Sequence, residues 1–299
     1  MTYFDGSAVG YSRPWTGATR PNAILETTEK SLSNGENAPI RLKNCDNALM
    51  SLRLPSLLPR PIGFAHRGAR AHAPENTVEA FDLALRLGAT ALESDVWVTA
   101  DRQLILDHGG RIGIRRRYIG TMERSELPDK LISLPELHAR VPPTTELSLD
   151  VKDDAAMLLT LEWVSTLDIE TRRRIWLCHH DWEQLAEWRS IDEHVRLVDS
   201  TSLDNMERGA ERRAHQLTEA GIDAINLRRQ EWTTGHVTMF HKFERVCFGW
   251  DAQHARVLQE LLRMGIDGVY SDHSDVMTEV ITDHLDQRPA TDSSPSTEN

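Results

Sequence analysis

The chain has 299 residues, of which 46 are acidic and 34 are basic, so its formal net charge is −12 at pH 7. This acidity argues against sequence-independent binding of nucleic acid and against docking on anionic membranes. The three cysteines are far apart and odd in number, which excludes a disulfide framework and a cysteine metal site and favours a reducing compartment.

Both ends of the chain have compositions that seldom form a core. Residues 1–58 are rich in Gly, Pro, Ser, Thr and Asn and predict a partly irregular N-terminal extension, and residues 287–299 predict a disordered tail. The start lacks the basic and apolar regions of a signal peptide, and no segment approaches the ~20 apolar residues of a membrane span. We therefore expect a cytoplasmic protein with one folded domain at 59–286.

Within this domain, β-rich runs alternate with helical patterns such as 77–87 and 252–264, which is typical of a parallel sheet with crossover helices. The predicted strands cover residues 62–66, 91–96, 146–151, 175–179, 195–199, 224–227, 246–250 and 268–271. Eight strand–helix units predict a (β/α)8 TIM barrel.

One further β-rich run, residues 104–108, follows the second strand too closely for a crossover helix. We expect it to return as a hairpin after strand 2. A turn at 99–102 would place residue 97 opposite 104 and Glu93 opposite His108. The sequence thus predicts that His108 lies beside Glu93.

Three carboxylates are expected where the barrel strands end, which is where groups that act on substrate lie in such barrels. Glu93 and Asp95 share one face of the second strand, and Asp150 is near the end of the third. Together they would raise one another's pKa unless a cation lay among them. Because the ligands are oxygens, we predict Mg²⁺ or Ca²⁺, while nearby histidines keep zinc open.

Positive and titratable side chains accompany these carboxylates. Arg67 and Lys152 would supply charged hydrogen-bond donors to a phosphate. His66 and His108, with an unperturbed pKa of about 6.5, would share proton removal and proton donation near neutral pH. The pattern favours metal-assisted cleavage of a phosphodiester.

Several motifs occur in an order and spacing that resemble the glycerophosphodiester phosphodiesterase family, over about residues 61–276. These motifs are His66-Arg67-Gly68, Pro74-Glu75-Asn76-Thr77, Phe81, Gly88-Ala89, Glu93-Ser94-Asp95-Val96, His108, Leu149-Asp150-Val151-Lys152 and Gly265-Ile266-Asp267-Gly268-Val269-Tyr270-Ser271-Asp272.

The resemblance implies a barrel of the PLC-like phosphodiesterase type that hydrolyses a small-molecule substrate, a glycerophosphodiester, to glycerol-3-phosphate and an alcohol, with no nucleic acid partner and no stable membrane anchor. It implies these roles: His66 and His108 as the acid/base pair, Arg67 and Lys152 at the phosphate, Trp250 stacked on the ligand, and Glu93, Asp95 and Asp150 as ligands of Mg²⁺ or Ca²⁺.

The chain departs from the family pattern at three places. Gly109 follows the second histidine where the family usually has Asp, and an acid, Asp107, precedes it instead. Asp150 replaces the Glu of many members, and the late Trp-Thr-Val-Asn segment reads Phe-Gly-Trp-Asp at 248–251. These departures bear on substrate choice.

Two alternative functions follow. Histidine followed by glycine, together with Asp-x-Lys, also resembles phospholipase D-like toxins, so the same barrel would cleave lysophospholipids or sphingolipids. The second alternative is a barrel that binds a phosphodiester without catalysis.

Three other polar features receive structural interpretations. Asp272 is expected to cap a turn after the last strand. The run Arg115-Arg116-Arg117 is expected to be a solvated charge cluster. A structural role is favoured for His179, although it follows the fourth strand.

Overall fold

The computed structural model describes residues 53–287. Most of the predicted extension, residues 1–52, and the tail at 288–299 lie outside the described residues. Within residues 53–287, no helix combines the length and the apolar character needed to cross a membrane.

Eight parallel strands form a closed barrel, which confirms the (β/α)8 prediction. Each barrel strand pairs with the next barrel strand along the chain, and the first strand closes the barrel by pairing with both the second and the last. The barrel strands are β1 (Ile62–His66), β2 (Ala91–Val98), β6 (Glu146–Val151), β7 (Ile175–His179), β8 (Arg196–Ser200), β9 (Ala224–Arg228), β10 (Val246–Trp250) and β11 (Gly268–Ser271).

Helices follow the strands and cover the outside of the barrel. The α-helices are α1 (Val78–Arg86), α2 (Leu134–Arg140), α3 (Asp154–Ser165), α4 (Ile169–Arg172), α5 (Trp182–Arg189), α6 (Ala210–Glu219), α7 (Thr234–Lys242), α8 (Ala255–Arg263) and α9 (Ser274–Asp286). Helix α1 begins where Thr77 accepts a hydrogen bond from the Ala80 N–H, as expected of an N-cap. Helix α8 starts at 255, three residues after the predicted 252.

The core has two layers. Strand and helix side chains form a large apolar layer outside the barrel. A smaller cluster fills the barrel itself, and its rings meet edge to face or stacked, such as Phe64 with Tyr270 at a centroid distance of 4.6 Å and Trp176 with Phe248 at 4.9 Å. These rings close the lower part of the barrel and leave space only above them.

The run after β2 returns antiparallel as β3 (Leu104–Leu106), with Trp97 opposite Ile105. The sequence predicted that residue 97 faces about residue 104, and the observed register differs from this by one position. A second, smaller hairpin follows, made of β4 (Arg111–Ile112) and β5 (Arg117–Tyr118). The Arg115-Arg116-Arg117 run belongs to this small hairpin and is exposed.

Candidate active site

A cavity of about 540 Å³ opens at the carboxyl ends of the barrel strands. The structure brings all the predicted site residues to its wall, namely His66, Arg67, Glu93, Asp95, His108, Asp150, Lys152 and Trp250. His179 does not line this cavity, since its ring packs against Trp188 at a centroid distance of 4.9 Å.

The turn after β1 presents His66 and Arg67 to the cavity. Arg67 has a positive φ of 55° and its N–H donates to both the carbonyl and a side-chain oxygen of Glu93, each at 3.0 Å. Gly68 has a φ of 80°, and a Cβ there would lie 2.6 Å from the backbone carbon of Ala80. Only glycine fits this position, so the His-Arg-Gly motif has a steric cause.

His66 is held by carboxylates on both ring nitrogens. Its Nδ1 lies 2.5 Å from Asp272 Oδ1 and its Nε2 lies 3.8 Å from Glu93 Oε2. Burial by itself would lower the pKa of His66, but Glu93 and Asp272 outweigh that effect and raise it above its ordinary value. Asp272, which was expected to cap a turn after the last strand, has its carboxylate paired with His66 and Arg70 at the cavity.

On the opposite wall of the cavity, Asp95 contacts three side chains that carry nitrogen donors. One oxygen lies 2.9 Å from Lys152 Nζ, and the other lies 3.3 Å from both Arg67 Nε and His108 Nδ1. Burial would raise the pKa of Asp95, but the hydrogen bond to His108 and the two cations hold it below its usual range. His108 therefore lies at Asp95 rather than at Glu93 as predicted, because the pairing of β3 with β2 ends at Leu106 and His108 lies in the turn that follows.

The other two carboxylates of the predicted trio behave differently from Asp95. Burial, followed by the charges of Asp95 and Asp150, raises the pKa of Glu93 to about 7 although His66 and Arg67 oppose this. Burial also raises the pKa of Asp150 in spite of its ion pair with Lys152. Three carboxylates therefore share this wall with two cations, Arg67 and Lys152, and burial disfavours the ionised form of Glu93 and Asp150.

The trio matches a hard divalent cation in donor type, because all three ligands are carboxylates facing one cavity. The carboxylate oxygens of the trio do not all lie within 4.8 Å of one another. Among the described residues, two other groups of side chains do bring three donor atoms within that distance. Lys152 stands between Asp95 and Asp150. The fit of Mg²⁺ or Ca²⁺ thus rests on the donor set.

The floor of the cavity carries polar groups that the sequence analysis missed. Tyr270 and Ser148 join their hydroxyls at 3.0 Å, and Cys178 lies 3.3 Å from Ser148. Burial raises the pKa of the Cys178 thiol to about 12, so it stays protonated. Only the alternation along β6, β7 and β11, which points these residues inward, could have revealed them.

The rim on the side of β10 is shared by Trp250 and charged neighbours. Trp250 is 39% exposed, and the Arg228 guanidinium lies 5.4 Å from the centre of its ring. Asp251 adopts a φ of 64° and its carboxylate pairs with Arg228 at 3.1 Å. This edge presents an aromatic face and an ion pair to the opening.

Asp107, the acid before the second histidine, does not take the place of the family's missing Asp. Its Oδ2 accepts a hydrogen bond from the Gly110 N–H at 2.7 Å, and it does not line the cavity. Burial raises its pKa. Asp107 therefore fixes the turn that carries His108.

The signature segment of the chain has clear relatives. The model of the glycerophosphoryl diester phosphodiesterase family matches residues 66–132. YhdW of Bacillus subtilis is 52% identical over 48 residues, which is 16% of this chain and 20% of that protein. The match thus spans about a fifth of the length of this relative.

Two further comparisons extend over the whole barrel. The glycerophosphodiester phosphodiesterase of Bacillus altitudinis is 22% identical over 235 residues, 71% of this chain and 94% of that protein. The structure of an Oleispira antarctica phosphodiesterase in complex with its product sn-glycerol-3-phosphate superposes with a TM-score of 0.62, at 16% identity, over 75% of this chain and 97% of that one.

The (β/α)8 fold resembles that of the solved Oleispira antarctica phosphodiesterase. On this fold, residues 66–132 match the model of the glycerophosphoryl diester phosphodiesterase family.

Proposed function

We propose that this protein hydrolyses glycerophosphodiesters to glycerol-3-phosphate and an alcohol. One observation carries the proposal: two histidines, each held by a carboxylate, face one cavity that two cations also line. These groups are His66 with Asp272, His108 with Asp95, and the cations Arg67 and Lys152. The match of residues 66–132 to the family model and the product bound by the Oleispira phosphodiesterase of similar fold support the substrate class.

Arg67 and Lys152 are proposed to bind the phosphate. Both are now paired with Asp95, and Arg67 also contacts Glu75 at 3.0 Å, but the ammonium of Lys152 has three donors and the guanidinium of Arg67 has five. They can therefore donate to phosphoryl oxygens while keeping a carboxylate contact. Trp250 remains the predicted contact for the rest of the substrate.

Glu93, Asp95 and Asp150 are proposed to hold Mg²⁺ or Ca²⁺. When bound, such an ion would neutralise the carboxylates and polarise a phosphoryl oxygen. Burial, followed by the charges of Asp95 and Asp150, raises the pKa of Glu93 to about 7, and a cation at this wall would stabilise its ionised form.

The two histidines are proposed to move the protons of the reaction. A glycerol hydroxyl next to the ester attacks phosphorus, and the new P–O bond forms as the P–O bond to the alcohol breaks. One histidine takes the hydroxyl proton and the other protonates the departing alkoxide. Water then attacks phosphorus and breaks the P–O bond formed in the first step, with the roles of the two histidines reversed, so that the hydroxyl is regenerated. The product is glycerol-3-phosphate.

The test is release of glycerol-3-phosphate from glycerophosphocholine by the purified protein, after EDTA treatment and after addition of Mg²⁺ or Ca²⁺. We expect metal-restored activity in the wild type and in a control, Glu79→Gln, which alters an exposed carboxylate on α1. Glu93→Gln should stay inactive.

Two results would contradict this proposal. Full activity of Glu93→Gln would show that the reaction does not require the proposed carboxylate trio. If glycerophosphocholine is not hydrolysed with either metal while lysophosphatidylcholine is cleaved, phospholipase D-like cleavage replaces the proposed activity.

Attack by the internal hydroxyl makes a separate prediction. A glycerophosphocholine analogue with hydrogen in place of the hydroxyl next to the ester should turn over at least about tenfold more slowly, because the nucleophile is then no longer part of the substrate. The measurement is choline release under saturating metal. Equal rates for the two diesters would show that water attacks directly.

A further inference from the structure

Two imidazoles and a carboxylate meet outside the cavity wall, beside the turn that carries Asp272. They belong to His72, His273 and Asp275, and one donor atom from each lies within 4.8 Å of the other two. The Nε2 atom of His72 is 3.0 Å from Asp275 Oδ1, and the two imidazole rings are 6.0 Å apart at 83°. None of the three lines the cavity.

The backbone holds these three side chains in place from two segments that already touch. The loop after β1 is tied to the end of β11 by the Ala71 N–H, which donates to the Asp272 carbonyl at 3.1 Å. His72 is fixed by its own N–H to the Ala69 carbonyl at 2.8 Å, and the His273 N–H donates to Ser271 Oγ at 3.2 Å. Asp275 stands in the first turn of α9. The backbone segments that carry the three donors are therefore held close together before any ion arrives.

The donor set selects the class of ion. Two imidazole nitrogens and one carboxylate oxygen suit zinc and related transition metals, whereas Mg²⁺ and Ca²⁺ prefer oxygen ligands. Tetrahedral bonds of about 2.1 Å place neighbouring donors roughly 3.4 Å apart, so side-chain rotations would close the present spacing. His72 and Asp275 are exposed at 37% and 43% of their side chains, which leaves the fourth position open to water.

A second cluster of three potential metal ligands is less suited to binding an ion, because its carboxylate already accepts several hydrogen bonds. His241, Cys247 and Asp267 also bring three donors within 4.8 Å, but Asp267 is fully buried. One of its oxygens accepts from His241 and the Cys247 N–H, and the other accepts from Ser56 and the Leu57 N–H. Its oxygens are therefore already engaged in structural hydrogen bonds.

We propose that His72, His273 and Asp275 form a binding site for a zinc-class divalent ion, separate from the proposed Mg²⁺ or Ca²⁺ site. The site goes beyond the proposed hydrolysis and does not depend on it. Because His273 directly follows Asp272, a bound ion would brace the turn that holds Asp272 against His66.

The test uses Co²⁺ as a spectroscopic probe on tag-free protein kept in excess Mg²⁺. Co²⁺ in a site with histidine ligands gives visible d–d absorption that is much stronger than that of an all-oxygen site, and Zn²⁺ should displace it. We expect saturable absorption in the wild type, and an affinity for Co²⁺ at least about tenfold weaker in His72→Ala, His273→Ala and Asp275→Asn.

Two variants serve as controls. His215→Ala removes an exposed histidine on α6 and should leave Co²⁺ binding unchanged. Glu93→Gln should also bind Co²⁺ as the wild type does, even if hydrolysis is lost. Unchanged affinity in the His72, His273 and Asp275 variants, or loss of the absorption in Glu93→Gln, would overturn the proposal.

Discussion

His66 shows how much of this site depends on single contacts. Asp272 and Glu93 approach its two ring nitrogens from different strands, and the contact to Asp272 is the shorter one at 2.5 Å. A carboxylate at Nδ1 fixes the tautomer and the ring orientation, so that Nε2 faces Glu93 and the cavity. Asp272 is therefore a positioning residue for the proposed chemistry.

Asp272→Asn should lower kcat by about a hundredfold or more while KM changes little, because the amide cannot stabilise a charged imidazole. The measurement is steady-state hydrolysis of glycerophosphocholine at saturating metal. Asp283→Asn, an exposed position on α9, is the matched control. A kcat of wild-type size would show that Asp272 has only a structural role.

At the scale of elements, the turn between β1 and α1 is the tightest part of the site. Gly68 packs on the first turn of α1, and the neighbouring Ala69 N–H donates to the Ala80 carbonyl at 2.9 Å. Close packing at this point lets residues 66 and 67 face the cavity while α1 stays against the barrel.

Gly68→Ala should reduce the free energy of unfolding by about 2–4 kcal/mol, since the new methyl group combines a positive φ with a clash against the α1 backbone. Urea denaturation followed by circular dichroism measures this change. Gly113→Ala, also at positive φ but with no atom near its Cβ, is the control for φ alone. Equal losses in the two variants would contradict the packing argument.

The loop between α5 and β8 depends on one buried acid. Asp192 Oδ1 accepts from the N–H groups of His194 and Val195 at 2.8 and 2.9 Å, and Oδ2 accepts from Arg172 at 3.1 Å. Burial would raise the pKa of Asp192, but these backbone hydrogen bonds and the Arg172 charge hold it below its usual value. The loop is therefore stabilised only while Asp192 is ionised.

Asp192→Ala should lower the free energy of unfolding by about 1–3 kcal/mol at pH 7. Because the folded-state pKa is depressed, this contribution is complete above the unfolded pKa of about 3.9 and disappears as pH falls through the lower folded value. Urea denaturation of both proteins from pH 7 to about pH 3.5 should show the difference shrinking at the acid end. A constant difference across this range would contradict the assignment.

At the level of the whole molecule, Asp267 connects the segment before β1, residues 56–58, to residues at α7 and β10. It is fully buried at the start of β11 and accepts hydrogen bonds from residues 56–58, from His241 and from the Cys247 N–H. These contacts connect three separate stretches of sequence at the end of the barrel opposite the cavity.

Asp267→Ala should cost about 3–5 kcal/mol of folding free energy, because several donors would remain buried without an acceptor. The active-site end should be unaffected, so kcat at a temperature where the variant is folded should match the wild type. Thermal unfolding together with that rate provides the measurement. A loss below about 1 kcal/mol would show that water replaces the carboxylate.

The pattern of the sequence was enough to predict the eight barrel strands, helices between them and eight of the residues that line the cavity. Strand and helix periodicity are local properties, and groups near the carboxyl ends of parallel strands must share one mouth. His66, Glu93 and Lys152 could thus be assigned to one site from the sequence alone.

Only the tertiary structure decided which of these groups touch. The turn after β3 brought His108 to Asp95, and the closure of β11 on β1 brought Asp272 to His66. Such contacts join residues up to 206 positions apart. They depend on barrel closure and side-chain packing over many strands, and no local pattern in the sequence encodes distances of a few ångströms between them.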